Sequence, residues 1–448
     1  LRSFLAPPSL LPLLSLLTAC VPLPSTFQPK PLGEPVHDAP VAISVRAPVA
    51  SVLLVGGGGA CVPSLAKRPA ATNEPFDPRC ASVEDDPVSA LVRSDLDLVE
   101  DGLVVWLGDN VHPLGLISEA EATRSKRTRL QREAGEAVLR RQIAAAGDPS
   151  RALFVAGDRD ARFLADDPRG RERLAVQEGF VRLAGASMAA RPSESVTVRD
   201  VGRRLRVVAF DSASFIAHAR EARAELILTA LDEAIAAAAA DGRSVVLAAH
   251  HPVLSQGVHG RGQFWAGPIL RYIPAARGEA NHPDYEIYAA RLLDRFDRWG
   301  RRESPTRDTL IAFVAAHDAS LQVLEVGDVL HVVAGSADRG SRVWDELAGL
   351  DRVRYLDAQP GYVAVHETVD GSVRLEVIEA HKTRTAPSEA TCRTVPGLPP
   401  DRMGCRVASV DMLSSPPSRA ISGPTERRAD DEVAVAPGEA SDEVSEAP

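Results

Sequence analysis

Residues 104–116, VVWLGDNVHPLGL, decide how the rest of the chain is read. Leu103 to Leu107 form an unbroken apolar run, the pattern of a strand buried on both faces. The run stops at Gly108-Asp109-Asn110, and Pro113 and Gly115 then turn the chain. A carboxylate and an amide directly after a buried strand put polar chemistry at the carboxyl edge of a sheet, where rigid strands deliver loop residues to a site.

The same plan recurs on both sides of this stretch. A strand over 49–55 ends at Gly56-Gly57-Gly58-Gly59, and one over 152–156 runs into Gly157-Asp158-Arg159-Asp160. Strands over 205–210, 244–249 and 309–315 stop at Asp211, at His250-His251-Pro252 and at His317-Asp318-Ala319. Helices are expected over 87–100, over 123–146 with Gly147 as the stop, over the Ala-rich 219–240, and over the amphipathic 285–299. Short strands over 321–326, 329–334, 362–367 and 373–378 follow, with no internal repeat. Asp and neutral His suit a divalent cation of borderline softness, so several such stops in one chain point to a metal site assembled from strand ends. The glycine run lacks the Lys-Ser/Thr of a P-loop and the GxGxxG spacing, so it reads as a strand-end turn.

The 448 residues, 45% hydrophobic and 25% charged, suffice for one large domain or two smaller ones. The formal net charge is −10, and residues 421–448, with eight acidic and two basic side chains, hold −6 of it. The remaining body is near neutral, which argues against nucleic acid as a partner. At the other end, Arg2 precedes an apolar run broken by Pro7, Pro8 and Pro12, too short for a spanning helix and fitting a secretory signal. It closes on Leu17-Thr18-Ala19-Cys20, which resembles the lipobox of bacterial lipoproteins and implies lipidation at Cys20.

The expected organisation is a signal over 1–20, a Pro-rich tether over 21–48, the folded domain over 49–381, and a low-complexity acidic tail over 382–448, mostly disordered except around its cysteine pair. The chain is expected to be an exported, membrane-anchored protein of the bacterial cell envelope. Export permits disulfides among Cys61, Cys80, Cys392 and Cys405. Pairing neighbours would close two short loops, each worth about 3 kcal/mol, although three connectivities are open.

The order of the strand-end blocks resembles that of the calcineurin-like metallophosphoesterases, especially their purple (tartrate-resistant) acid phosphatase branch. GDNVHPLG resembles the family's GDNxYxxG, and FVAGDRD stands in the place of its GNHD. AAHHPVLSQGVHG resembles its HxP…HG block, AHDASLQVLE its GHDHxLQ, and VLLVGGGGA falls where a GDxG opens the domain. The match runs from about Val52 to Gly335. It implies an α/β fold, a four-layer α/β/β/α sandwich of two mixed sheets.

The resemblance also implies two cations bridged by Asp109. One of them would use Asp109, Asp158, His250 and His317, a complete donor set in which Asp158 stands for the family's Asn. The other has lost its ligands at Gly57 and Ala319, with His112 in the place of a Tyr as a possible substitute. The family's proton-donating His is replaced by Arg159, which cannot act as a general acid but can grip a phosphate. Asn110, Arg159, His251 and His259 are the candidate phosphate or substrate contacts. One divalent cation (zinc, manganese or iron) is expected, and the second set is too depleted to promise another. The expected partner is a phosphate-bearing small molecule or other anionic ligand. The function implied is a phosphoric ester hydrolase by descent, with weak or lost activity; a non-catalytic anion binder and a structural surface lipoprotein are the alternatives.

Overall fold

The apolar runs become the parallel centres of two sheets. The computed structural model describes residues 36–37, 47–59, 82–83, 86–112, 114–160, 168–189, 195–257, 283–301, 303–326, 329–337, 343, 352–382, 391–394 and 402–413. In the first sheet β2 (Pro48–Val55), β3 (Asp101–Leu107), β4 (Ala152–Val155) and β5 (Ser187–Met188) run parallel. On the far side of β2 the antiparallel β13 (Gly361–Thr368), β14 (Val373–Lys382), β16 (Arg402–Leu413) and β15 (Thr391–Arg393) complete eight strands.

The second sheet is parallel through β7 (Leu205–Ala209), β8 (Ser244–Ala248), β9 (Leu310–Ala315) and β11 (Val329–Ala334). Its antiparallel flanks are β6 (Thr197–Val201) on one side and β10 (Leu321–Val326), β12 (Arg352–Asp357) and β1 (Val36–His37) on the other.

Three apolar clusters show the layering. Val52, Leu54, Val105, Leu107 and Val155 of the first sheet pack against Val207, Ala209, Val246, Ala248 and Val314 of the second. The other face of the first sheet, with Leu53, Val104, Trp106 and Phe154, is covered by α1 (Pro87–Leu96), α3 (Lys126–Ala145) and α4 (Pro168–Leu183). The outer face of the second, with Val208, Leu247 and Phe313, is covered by α5 (Ser212–Ala217), α6 (Ala222–Ala240) and α7 (Pro283–Gly300). A short α2 (Glu119–Ala122) precedes α3. The architecture is therefore the four-layer α/β/β/α sandwich of two mixed sheets, and strands apolar on both faces are what such layering requires.

Local chemistry sets the helix starts. Asp86 caps α1 by accepting from the Val88 N–H, and Ser125 with Thr128 forms a reciprocal cap on α3. The expected helix over 87–100 stops earlier, at Leu96, where Asp97 caps it. Strands continue past residue 381: β14 ends at Lys382, and β15 and β16 pair in register with Cys392 opposite Cys405. That pair is joined by a disulfide with a Cα–Cα separation of 4.0 Å. Most of the expected tether and acidic tail, and Cys20, Cys61 and Cys80, lie outside the described residues. Among the described residues no helix is long and apolar enough to cross a membrane.

Candidate metal centre

The parallel strands of both sheets end at one place. The loops after β2, β3 and β4 meet those after β8 and β9, and glycine is what lets them crowd. A Cβ on Gly108 (φ +86°) would lie 2.4 Å from His250 Nδ1, and one on Gly157 would lie 2.2 Å from the Asp109 nitrogen. Asp160 then ties two of the loops together. Its buried carboxylate accepts the N–H groups of Gly157 (3.0 Å), Asn110 (3.2 Å) and Val111 (3.1 Å) and the Asn110 side-chain amide (2.9 Å). Burial, and secondarily the Asp109 charge, push its pKa up to about 6 against those donors.

Four donors converge at this junction. His250 Nε2 lies 3.0 Å from Asp158 Oδ1, 3.5 Å from Asp109 Oδ1 and 3.1 Å from His317 Nδ1, and His317 Nδ1 lies 3.3 Å from Asp158 Oδ1. Neighbouring donors around a tetrahedral cation with bonds of 2.0–2.2 Å stand about 3.4 Å apart, so the set has the right size. The tautomer of His250 sharpens the point. Its Nδ1 is 2.7 Å from the Leu107 carbonyl, which only accepts, so Nδ1 carries the hydrogen and Nε2 turns its lone pair to the carboxylates. Lone pairs facing lone pairs are tolerated only around a positive charge, whether a proton or a cation.

The electrostatics agree. Burial opposes a charged His250, yet the Asp109 and Asp158 carboxylates carry its pKa upward. Burial would likewise raise Asp158, but hydrogen bonds from His250 and His317, with their charges, hold it well below the carboxylate range. Asp158 Oδ2 is buried without a hydrogen-bond partner among the described residues, with Arg159 Nε 3.5 Å away as an ion pair. Asp109 and His317 both hold left-handed backbone, φ 55° and φ 64°, conformations that L side chains seldom adopt.

Among the described residues the other half of the site is sparse. Asp109 Oδ2 faces His112 Nε2 at 3.4 Å. Gly57 has φ +51°, and a Cβ there would meet the Ser336 hydroxyl at 2.8 Å. Ala319 offers no donor. Asp318, its neighbour, is buried and accepts the Ser255 hydroxyl, away from any ligand role.

Asn110 departs from expectation. Its side chain is buried, and its amide donates to the Val155 carbonyl (2.7 Å) and to Asp160, so it braces the loops instead of meeting a phosphate. Arg159 is part-exposed; its backbone N–H donates to Asp109 Oδ1 at 3.1 Å. His259 lies outside the described residues. His251 comes inward: Asp158, His250, His251 and His317 each offer a ligand atom, all within 4.8 Å of one another.

The sequence reading missed the supports of this loop. Tyr285 and Tyr288 of α7 donate their hydroxyls to the carbonyls of Pro252 and His251, and Ser212 Oγ lies 2.9 Å from His251 Nδ1. The one available signal was the i, i+3 spacing of the two tyrosines on the apolar face of an amphipathic helix. Asp211, another strand stop, caps α5 by accepting from Ser214 N–H and is no ligand.

Fold and site together define a four-layer α/β/β/α sandwich with a His/Asp cluster that can hold a cation at its sheet ends. No protein-family model and no curated protein matches the sequence. Among solved structures the chain is similar to GAP50, the anchor in the inner membrane complex of Plasmodium, with 11% identity, a TM-score of 0.40 and coverage of 73% of this chain and 84% of that one. It is similar also to a dimetal phosphatase from Danio rerio (12% identity, TM-score 0.39, 74% and 95%). A purple acid phosphatase, PPD1 from yellow lupin, gives 12% identity and a TM-score of 0.41 over 73% of this chain and 51% of that one.

Proposed function

We propose that this chain is an exported lipoprotein whose metallophosphoesterase-type domain binds one divalent cation and hydrolyses phosphoric esters only weakly. The observation that carries the reading is the convergence of Asp158, His250 and His317 donors at 3.0–3.3 Å, with Asp109 Oδ1 at the border. A divalent cation there supplies Lewis-acid charge to a phosphoryl oxygen. The chain's own residues do the rest incompletely. Arg159 can hold a phosphate, but its guanidinium does not release a proton at ordinary pH, so a leaving group goes unprotonated. In the other half the His112–Asp109 pair is the titratable pair among the described residues, and a second positive charge would be needed there to neutralise the transferring group.

Elemental analysis of the purified chain tests this first, with about one equivalent of zinc, manganese or iron expected. No metal at all would leave the structural-lipoprotein reading standing. A generic phosphomonoester assayed with added metal then separates weak hydrolysis from none. Zero turnover with retained phosphate binding would favour the second reading, an anion binder, which the replacement of a proton donor by Arg159 supports. With no Tyr at residue 112, the protein is expected to be colourless. Metabolic fatty-acid labelling, lost in Cys20→Ser, tests the anchor.

A further inference from the structure

We infer that His251 closes the coordination shell of this cation, so that three imidazoles and the Asp158 carboxylate hold it while Asp109 stands outside. The inference rests on the one-cation reading above and changes what that cation can do. Among the described residues the mutually close donors are those of Asp158, His250, His251 and His317, and Asp109 is not in that set. Asp109 has other engagements at the margin of that set: Oδ1 accepts the Arg159 N–H at 3.1 Å while lying 3.5 Å from His250 Nε2, and Oδ2 faces His112 at 3.4 Å.

His251 is built for the role. Its ring lies 4.7 Å from that of His317 and 4.8 Å from that of His250, centroid to centroid, and only 4% of the residue is exposed. Ser212 and Tyr288 fix its place. Ser212 Oγ accepts the His251 backbone N–H at 3.0 Å and also contacts Tyr288, whose hydroxyl donates to the His251 carbonyl at 2.7 Å. Ser212 Oγ, 2.9 Å from Nδ1, can accept a hydrogen from it. Nε2 then presents the lone pair. A ring N–H held by a hydroxyl or carbonyl is the usual support of a ligating histidine, and His250 has its counterpart in the Leu107 carbonyl.

Hydrolytic zinc sites keep three protein ligands and one open corner, whereas four protein ligands make a closed, structural site. Three imidazoles with a carboxylate fill all four corners. A cation so held would fasten the ends of β4, β8 and β9 together, linking the two sheets, and a phosphate oxygen would reach it only by displacing one of the four donors, which is why hydrolysis would be no more than weak.

Cobalt(II) substitution of the full chain tests this, because tetrahedral cobalt absorbs far more strongly than five- or six-coordinate cobalt. The expected result is an intense spectrum unmoved by inorganic phosphate, with X-ray absorption counting three imidazoles. His251→Gln should weaken zinc binding by roughly 100-fold, the scale of lost support or more, and count two imidazoles. His251→Ala should leave a corner that phosphate fills, shifting its cobalt spectrum. Asp109→Asn should stay within a few-fold of the parent in affinity. Circular dichroism of each variant confirms folding, and Ser212→Ala, which keeps the ring, should weaken binding by an intermediate factor. If Asp109→Asn rather than His251→Gln dims the spectrum, or if phosphate perturbs the parent, the closed shell is wrong while the one-cation reading stands. If the folded parent takes up no cation, both fall.

Discussion

The two halves of the strand-end junction are built from one backbone plan and differ in what hangs from it. On one side Asp158, His250 and His317 bring charged or coordinating atoms within 3.0–3.3 Å. On the other, Gly57 and Ala319 carry no donor side chain, and Asp109 turns its Oδ2 to His112 at 3.4 Å. The backbone is nonetheless left-handed in both: Gly57 has φ +51°, close to the φ 55° of Asp109 and the φ 64° of His317. The loops are shaped by glycine packing and by the Asp160 hydrogen bonds, so a donor can vanish without disturbing the loop that carried it.

The largest expected effect breaks the better half. Asp158→Ala or His250→Ala should weaken cation binding by more than about 100-fold, measured by competition with a chelator. Each also leaves a buried charge or donor unmatched, so thermal stability in chelator should fall as well. Unchanged affinity in both would show that the ion, if any, sits elsewhere.

Acid is the next probe, and here the scaffold must be separated from the site. Burial in the second sheet, beside Phe296 and Phe313, pulls the His331 imidazole down to about 4. The unfolded chain, with an ordinary imidazole near 6.5, therefore binds more protons between those values. Stability from this group is complete above about pH 6.5 and is lost as pH falls through about 4, amounting to about 3 kcal/mol. His331→Phe should flatten that limb in urea titrations at pH 4–6.5. Any loss of cation that remains then belongs to the site's own histidines.

Refilling the poorer half tests whether its shape persists. Gly57→Asp with Ala319→His and Arg159→His should bind a second equivalent of metal and raise phosphomonoester hydrolysis by at least about tenfold, the scale of one positioned acid or better. Asp is tolerated in left-handed backbone, and the Ser336 hydroxyl that a new Cβ would meet can rotate away. If neither metal nor activity appears, the register linking Gly57 and Ala319 to ligand positions is wrong. The smallest effect is expected from Asp109→Gly in chelator. Relief of left-handed strain and of repulsion with Asp160 should stabilise the metal-free protein by about 1 kcal/mol, seen as a melting point a few degrees higher.

Much of this was readable from the chain because strands buried on both faces are unbroken apolar runs, and each run ends in a visible stop. Asp109, Asp158, His250 and His317, which the structure brings to one junction, all stood at such stops. The antiparallel margin of the first sheet was harder. On β13, β14 and β16, His366, Arg374, Glu376 and Arg406 point into one buried or part-buried cluster, with Glu376 within 2.7 Å of Arg374 and 3.4 Å of His366. Charges satisfied across strands spoil the apolar alternation, and a partner thirty residues away leaves no local trace. The edge strand β6 reads TVRDV, exposed over most of its length, and was equally silent. The orientations of Asn110 and His251 were unreadable for a different reason: which way a loop side chain turns depends on Asp160, Ser212 and Tyr288, none of them adjacent in sequence.

The left-handed turns at the strand ends have a consequence for how such proteins change over generations. At each of these positions glycine is the relaxed residue and a ligand the strained one, held only while an ion rewards it. Substitution toward glycine runs downhill for the apo scaffold, and return runs uphill. A cofactor pocket built this way would decay as a ratchet, and on the reading proposed above Gly57 would be one click of it.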